Sequence, residues 1–252
     1  MRRILLLFSL ILAASGAVIA SSDALKPKKM KWSFDGMLGT FDRASVQRGF
    51  QVYKEVCSAC HSLELVAFRN LKEIGFSENE AKEIAKNYNV TDGPNDDGEM
   101  FERPAILSDY FPNPYANEKA ARATNNGAFP PDLSLMARAR EDGANYVYSL
   151  LTGFNQTPPD DIKIQDNMHY NPYFPGMQIG MSPPLSDGMV QYTDGTIVTV
   201  DQMAKDVVNF LQWTSDPKME RRKSTGIKVL FFLAIFTGLF IVAKKRIWSK
   251  IY

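Results

Sequence analysis

Cys57-Ser58-Ala59-Cys60-His61 takes both cysteines and one of the two histidines of this 252-residue chain, and it restricts the fold more than any other feature. Thiols three positions apart can reach the two vinyl groups of one porphyrin. The histidine that follows is then carried under the ring, where its imidazole can bind iron. The spacing therefore points to covalent attachment of a single haem, around which the chain must wrap. A redox dithiol would place C-x-x-C at the start of a helix after a strand; here a helical pattern runs into the motif. A zinc site would need four nitrogen or sulfur ligands, and the second histidine, His169, is far away in sequence.

The ends of the chain say where such a group would be attached. Met1-Arg2-Arg3 precedes an apolar run from Ile4 to Ala14, a basic head and short hydrophobic core that read as a secretory signal over residues 1–20. Cleavage after Ala17, Ala20 or Ala24 suits the small-residue requirement, and an uncleaved anchor is the alternative. Haem of the c type is attached outside the cytoplasm, so the two signals agree. Near the other end, Val229 to Ala243 contains no charge. With Ile227 and a snorkelling Lys228 it predicts a transmembrane helix over 227–243, at the short end of the range that crosses a bilayer. Four basic residues flank it on each side, so positive charge does not orient it; the export signal does. Residues 21–219 form an exported domain, 220–226 a basic linker and 244–252 a short tail left inside.

The formal net charge of +1 conceals an asymmetry. Residues 21–219 hold 19 Lys and Arg against 27 Asp and Glu, a net of −8. An acidic body without a long basic run excludes nucleic acid as a partner. Its composition, 45% hydrophobic and 23% charged, is that of a folded domain rather than a disordered one.

Within the body the periodicity is helical. Val46, Gly49, Phe50, Tyr53 and Val56 share one face of a helix over 43–56. Ser77-Glu78-Asn79-Glu80 is a capping box that opens a helix to about Tyr88. Shorter helices are expected over 117–126 and 144–151. Thr199-Val200-Asp201-Gln202 is a second capping box, before the stripe Met203, Val207, Phe210 and Leu211. Strand signals are sparse; Ile197 to Val200 is the best, and it is too short to matter. The stretches 89–116 and 154–196 are too long for simple connections and should wrap something.

The sixth iron position decides between electron transfer and gas or oxygen chemistry. His169, Met168, Met177, Met181 and Met189 are the candidates. Met181 stands out because Pro175, Pro183 and Pro184 brace its loop, and a weak thioether ligand needs a stiff chain to hold it. Met177 and His169 stay open as alternatives.

Several segments together resemble the cytochrome c1 family, the haem subunits of bacterial and mitochondrial cytochrome bc1 complexes. They are Arg48 to Ser62 around the motif, Ala120 to Ser134 (AARATNNGAFPPDLS), Tyr146 to Gly153, the loop Ile179 to Leu185 and the basic-flanked anchor. The resemblance implies His61 and Met181 as axial ligands and Cys57 and Cys60 as thioether anchors of one haem c, with Arg122 near a haem propionate. It also implies cytochrome b as a partner in the membrane, a Rieske iron–sulfur protein as electron donor and a cytochrome c as acceptor. The chain itself would be an electron-transfer subunit rather than an enzyme. Its place would be a bacterial inner membrane, with the haem domain on the periplasmic side, or the mitochondrial inner membrane. The expected fold is mainly α, the haem-wrapping arrangement of c-type cytochromes, in which the first helix crosses the last and Gly49 lets Phe210 and Leu211 approach. Competing readings are an anchored cytochrome feeding a terminal oxidase or reductase, and a gas-binding haem protein with an open iron site.

Overall fold

The computed structural model describes residues 24–249. The expected signal segment and the last three residues of the expected tail lie outside the described residues. In chain order the helices and strands are α1 (Arg43–Glu55), α2 (Glu78–Lys86), β1 (Asn89–Asp92), β2 (Phe101–Pro104), α3 (Glu118–Thr124), α4 (Met136–Ala139), α5 (Gly143–Leu151), β3 (His169–Tyr170), β4 (Gln178–Ile179), α6 (Val200–Ser215) and α7 (Met219–Trp248). Short 3-10 turns cover Cys57–Ala59, Phe68–Ile74 and Pro175–Met177. The fold is mainly α, as the periodicity predicts.

The centre of the domain is the crossing of α1 and α6. Gly49 faces the backbone of α6 so closely that a Cβ there would lie 2.0 Å from the Asp206 carbonyl oxygen and 2.8 Å from Phe210 Cβ. No other residue permits that approach. The same contact buries Asp206 completely. Its carboxylate accepts from Ser45 Oγ at 2.7 Å, from Arg48 Nε at 2.9 Å and from Gln202 Nε2 at 3.1 Å. A buried carboxylate left without such donors would cost several kcal/mol, so the polar set beside Gly49 is part of the lock. Around it Phe50, Tyr53, Phe68, Phe111, Phe210 and Trp213 form an aromatic cluster, the closest pair being Phe68 and Phe111 with centroids 4.3 Å apart. Fully burying such a side chain contributes on the order of 1.5–3 kcal/mol.

Caps explain where helices begin. Ser77 and Glu80 make both halves of the expected box, Ser77 N to Glu80 Oε2 at 2.7 Å and Glu80 N to Ser77 Oγ at 3.2 Å. At α6 only one half forms. Thr199 Oγ1 accepts from Gln202 N at 3.1 Å, but the Gln202 amide turns away to Asp206. Its Nε2 donates to the buried Asp206 carboxylate, and that bond holds the side chain away from the Thr199 N–H, from which its Oε1 would accept in a full box.

Outside the main helices, local structure follows the neighbours that the fold supplies. Ile197 to Thr199 pairs with no strand, because no neighbouring edge is offered; the Val198 carbonyl accepts a lone bond from Gly188 N. The sheet that does form is two small antiparallel ladders. β1 pairs with β2 in the register Asn89↔Pro104, and β3 with β4 in the register His169↔Ile179. Finally, residues 220–226, read as a linker, are helical. They belong to α7, a 30-residue helix about 45 Å long at 1.5 Å per residue. It is long and apolar enough to cross a membrane, and its apolar stretch is buried against nothing else in the described structure.

Candidate functional site

α1 ends at Glu55, and the chain tightens into the 3-10 turn that carries the cysteines. Cys60 N and His61 N both donate to the Cys57 carbonyl, at 3.1 and 2.9 Å. The motif is thus one compact turn, fixed to the helix by Ser58 Oγ donating to the Lys54 carbonyl at 2.7 Å. Cys57 and Cys60 are half-buried and not bonded to each other. Burial, with a smaller push from Cys60, raises the Cys57 thiol to about 12, so it is protonated at neutral pH.

His61 is oriented from both ends. Its Nδ1 lies 2.8 Å from the Pro131 carbonyl oxygen, which can only accept, so the proton sits on Nδ1 and Nε2 keeps its lone pair. Burial lowers the imidazole pKa against the opposing pull of Pro131 and Asp132. The neutral ring is the form that binds a metal. Tyr53 OH donates to the His61 carbonyl at 3.2 Å.

Asp132 ties the two walls of the site together and was not legible as a functional residue. Its Oδ2 accepts from Ser62 Oγ at 2.9 Å and from Glu64 N at 2.8 Å, while Oδ1 accepts from Ser134 N at 2.9 Å. Leu133 N adds a bond to the Ser62 carbonyl at 3.0 Å. The chain after the motif is thereby bound to the segment that supplies Pro131. The local signal was Asp-x-Ser, an Asx turn; nothing in it announces the long-range bonds.

Four of the five candidate sixth ligands, Met168, His169, Met177 and Met181, lie on or beside one hairpin, and Met189 lies ten residues beyond it. His169 is on β3, Met177 in the turn, and Met181 two residues beyond β4. Met168, Met177, Met181 and His169 are half-buried, and Met189 is exposed. Met177 is held by its backbone, its N–H to the Phe174 carbonyl at 2.8 Å and its carbonyl to Asn171 N at 2.9 Å. Next to Met181, Gly180 faces the other wall. A Cβ there would lie 3.2 Å from Ala128 Cβ and 3.9 Å from Met168 Sδ. The hairpin thus packs three residues away from the carbonyl that orients His61.

Arg122, on α3, is half-exposed. It pairs with Glu118 at 2.7 Å, donates to the Gly127 carbonyl at 2.9 Å and lies over the Phe129 ring at 5.6 Å. Its place is the same 118–134 segment, and Phe129 is 49% exposed beside it. The donor set fits haem iron: two unbridged thiols, an imidazole with its outer nitrogen free, and a braced thioether loop on the adjoining wall. An open cleft of about 450 Å³ between Asn155, Leu185, Asp187 and Thr199 is lined by none of these residues.

Residues 32–251 match the cytochrome C1 family. The chain is similar to cytochrome c1 of Rhodospirillum rubrum, at 43% identity over 99% of this chain and 97% of that protein. It is 50% identical to cytochrome c1 1, heme protein, mitochondrial, of Arabidopsis thaliana, over 88% of this chain and 73% of that one. The cytochrome b-c1 complex catalytic subunit, mitochondrial, of Candida albicans is 47% identical over 93% of this chain and 82% of its own length.

Proposed function

The chain belongs to the cytochrome c1 family, and on that premise we propose that it is the membrane-anchored one-electron carrier of a cytochrome bc1 complex. One haem c would be bound through Cys57 and Cys60, with His61 and Met181 as axial ligands and Arg122 beside a propionate. The observation that carries this reading is the pinning of His61 Nδ1 by Pro131, which leaves Nε2 free next to two unbridged thiols. When bound, the haem supplies an iron centre that takes up and gives back one electron. The protein's part is to keep everything else still. Pro131 holds the proton on Nδ1, Asp132 fixes the distance between the walls, and the Pro-braced loop presents sulfur without a strong bond to hold it.

The partners follow from the family: cytochrome b alongside α7, a Rieske iron–sulfur protein as donor and a basic cytochrome c as acceptor. Charge supports the last of these and narrows its place. Glu78 is paired with Lys72 and Lys82, Glu83 with Lys86, and Asp92 with Arg103. Asp96, Asp97 and Glu99, and Asp160, Asp161 and Asp166, form no ion pair among the described residues. The second group leads into the Met181 hairpin, to which it is tied by Gln165 N and the Gln178 side chain at 2.8 Å. We assign docking to that group, since complementary charge near the redox centre speeds encounter. The haem domain would lie on the exported side, with the end of α7 inside.

Covalent attachment is the test. The full chain, purified in detergent, should keep its haem colour through denaturing electrophoresis. Cys57→Ser with Cys60→Ser should lose it while the apoprotein still accumulates. Retention of colour in the double variant would overturn the reading.

A further inference from the structure

The segment leading into α1 runs down the first turns of α7. Phe41 N donates to Glu220 Oε1 at 2.7 Å, and Arg43 pairs with the same carboxylate at 2.6 Å. One helical turn further along α7, Lys223 Nζ donates to the carbonyls of Phe34 at 2.5 Å and Gly39 at 3.3 Å. From Phe41 back to Gly39 the chain therefore descends from the level of Glu220 to that of Lys223, toward the apolar run. Between Phe34 and Gly39 it reverses. The turn is closed by Asp35 N to the Trp32 carbonyl at 3.1 Å and Thr40 N to the Ser33 carbonyl at 3.0 Å. It is so tight that a Cβ on Gly39 would lie 2.1 Å from the Asp35 carbonyl oxygen. At its tip stand Met37, 64% exposed, and Leu38, whose 82% is the highest among the large apolar side chains described.

Two further observations set the depth of this tip. Ile227 is the one residue between 224 and 249 that is not exposed. It lies one turn below Lys223 on the same face of α7, the face along which the turn descends, and it is the first residue of the apolar run. The run itself is short. Residues 227–243 span about 25 Å as a helix, against a hydrocarbon core of about 30 Å. Such a span draws its flanks toward the core or thins the bilayer, which brings Lys223 and the turn it holds into the headgroup layer. Arg221 and Lys228 put positive charge near that level, while Arg222 is paired with Asp216; basic residues there suit a phospholipid surface.

We propose that Met37 and Leu38 are a second membrane contact: the tip of the 35–39 turn inserts into the headgroup–acyl boundary beside α7. The domain then rests on the bilayer at two points and keeps one orientation, with its redox site at a fixed height. This rests on the reading that α7 crosses the membrane. Two adjacent large apolar side chains at the tip of one turn, beside the first turns of a membrane helix, suit an interfacial position.

The test is nitroxide depth measurement in the full chain reconstituted into phosphatidylcholine vesicles. Leu38→Cys, Asp97→Cys and Thr237→Cys are labelled separately, and the unsubstituted chain is the blank for any reaction at Cys57 and Cys60. Collision with oxygen, which concentrates in lipid, is compared with collision with a water-soluble nickel chelate. The label at 237 should report deep lipid and the label at 97 water; failure of the 237 label alone would show that α7 does not span. The label at 38 should favour oxygen severalfold over the label at 97. A label at 38 as open to nickel as that at 97 overturns the proposal. So does one shielded from both reagents, which would mean that protein, a second copy of this chain, covers the tip.

Discussion

Gly49→Ala tests whether the α1–α6 crossing is as tight as drawn. The new methyl would start 2.0 Å from the Asp206 carbonyl oxygen and 2.8 Å from Phe210 Cβ. Carbon contacts settle at about 3.5–4.0 Å, so the helices must part by roughly 1 Å or more. No rotamer change relieves this, because the nearest atom is backbone. Separation on that scale stretches the bonds from Ser45 and Arg48 to Asp206, now 2.7 and 2.9 Å, toward the limit of a hydrogen bond. Overpacking costs about 1–3 kcal/mol, and weakening the two bonds about 1–3 kcal/mol more. Alanine's better helix propensity returns about 1 kcal/mol. The net loss is about 1–5 kcal/mol, which for a domain of this size lowers the melting temperature by roughly 2–20 °C. Thermal melts of the full chain in detergent, followed by circular dichroism, read this directly. Gly226→Ala, on α7 with nothing near its Cβ position, is the control: with the propensity gain and no clash it should melt level with the parent chain or a few degrees above it. If Gly49→Ala also melts within about 2 °C of the parent, less than the shift expected for 1 kcal/mol, the close crossing is refuted.

Asp132→Ala removes one acceptor from Ser62 Oγ, Glu64 N and Ser134 N together. It should cost about 1–3 kcal/mol and lower haem retention, and Asp132→Asn should recover part of both; equal melting and haem content in all three chains would remove the clamp. Arg103 holds the Asp109 and Asp92 carboxyls below their ordinary value of 3.8 by bonding to the charged forms. The stability they add is therefore complete above the unfolded value, near pH 4, and is lost as pH falls through the lower folded values. Arg103→Gln should accordingly be less stable than the parent at neutral pH and converge with it in acid, as acid-unfolding curves would show. Reduction of a basic cytochrome c should slow steeply with salt, since screening length falls from about 10 Å at 0.1 M to about 3 Å at 1 M. Neutralising Asp160, Asp161 and Asp166 should slow it more than neutralising Asp96, Asp97 and Glu99; stopped-flow rates flat in salt would leave the charge a matter of solubility.

The helices were legible because their faces and caps are local. Val46, Gly49, Phe50 and Tyr53 repeat at helical spacing, and Ser77 with Glu80 announces the start of α2. The partner of Gly49 came from the resemblance to c-type cytochromes, in which the first helix crosses the last; the helical stripe alone marks only its face. The two hairpins were not legible. Their registers depend on partners eight or more residues away, and β1 and β2 carry little apolar alternation. Ile197 to Thr199 shows the converse, β-branched residues with no edge to join. The 220–226 segment looked like a linker because it is polar, yet Glu220 and Lys223 are occupied by the chain before α1 and hold it helical. At the site, cysteine and histidine spacing was visible at once. Pro131 acts through a carbonyl, which no side-chain pattern reveals, and Asp132 through bonds that only the folded walls bring together.

The central claim is that iron is held between His61 and Met181, and carbon monoxide tests it most directly. The reduced parent chain at neutral pH should show no change in its visible spectrum on addition of the gas, since on this proposal the Met181 thioether would fill the sixth position. Met181→Leu should keep its haem through denaturing electrophoresis but bind carbon monoxide rapidly, with Met177→Leu and His169→Gln behaving as the parent. Rapid binding by the parent chain, or a Met181→Leu spectrum and reduction potential identical to the parent's, would contradict the account.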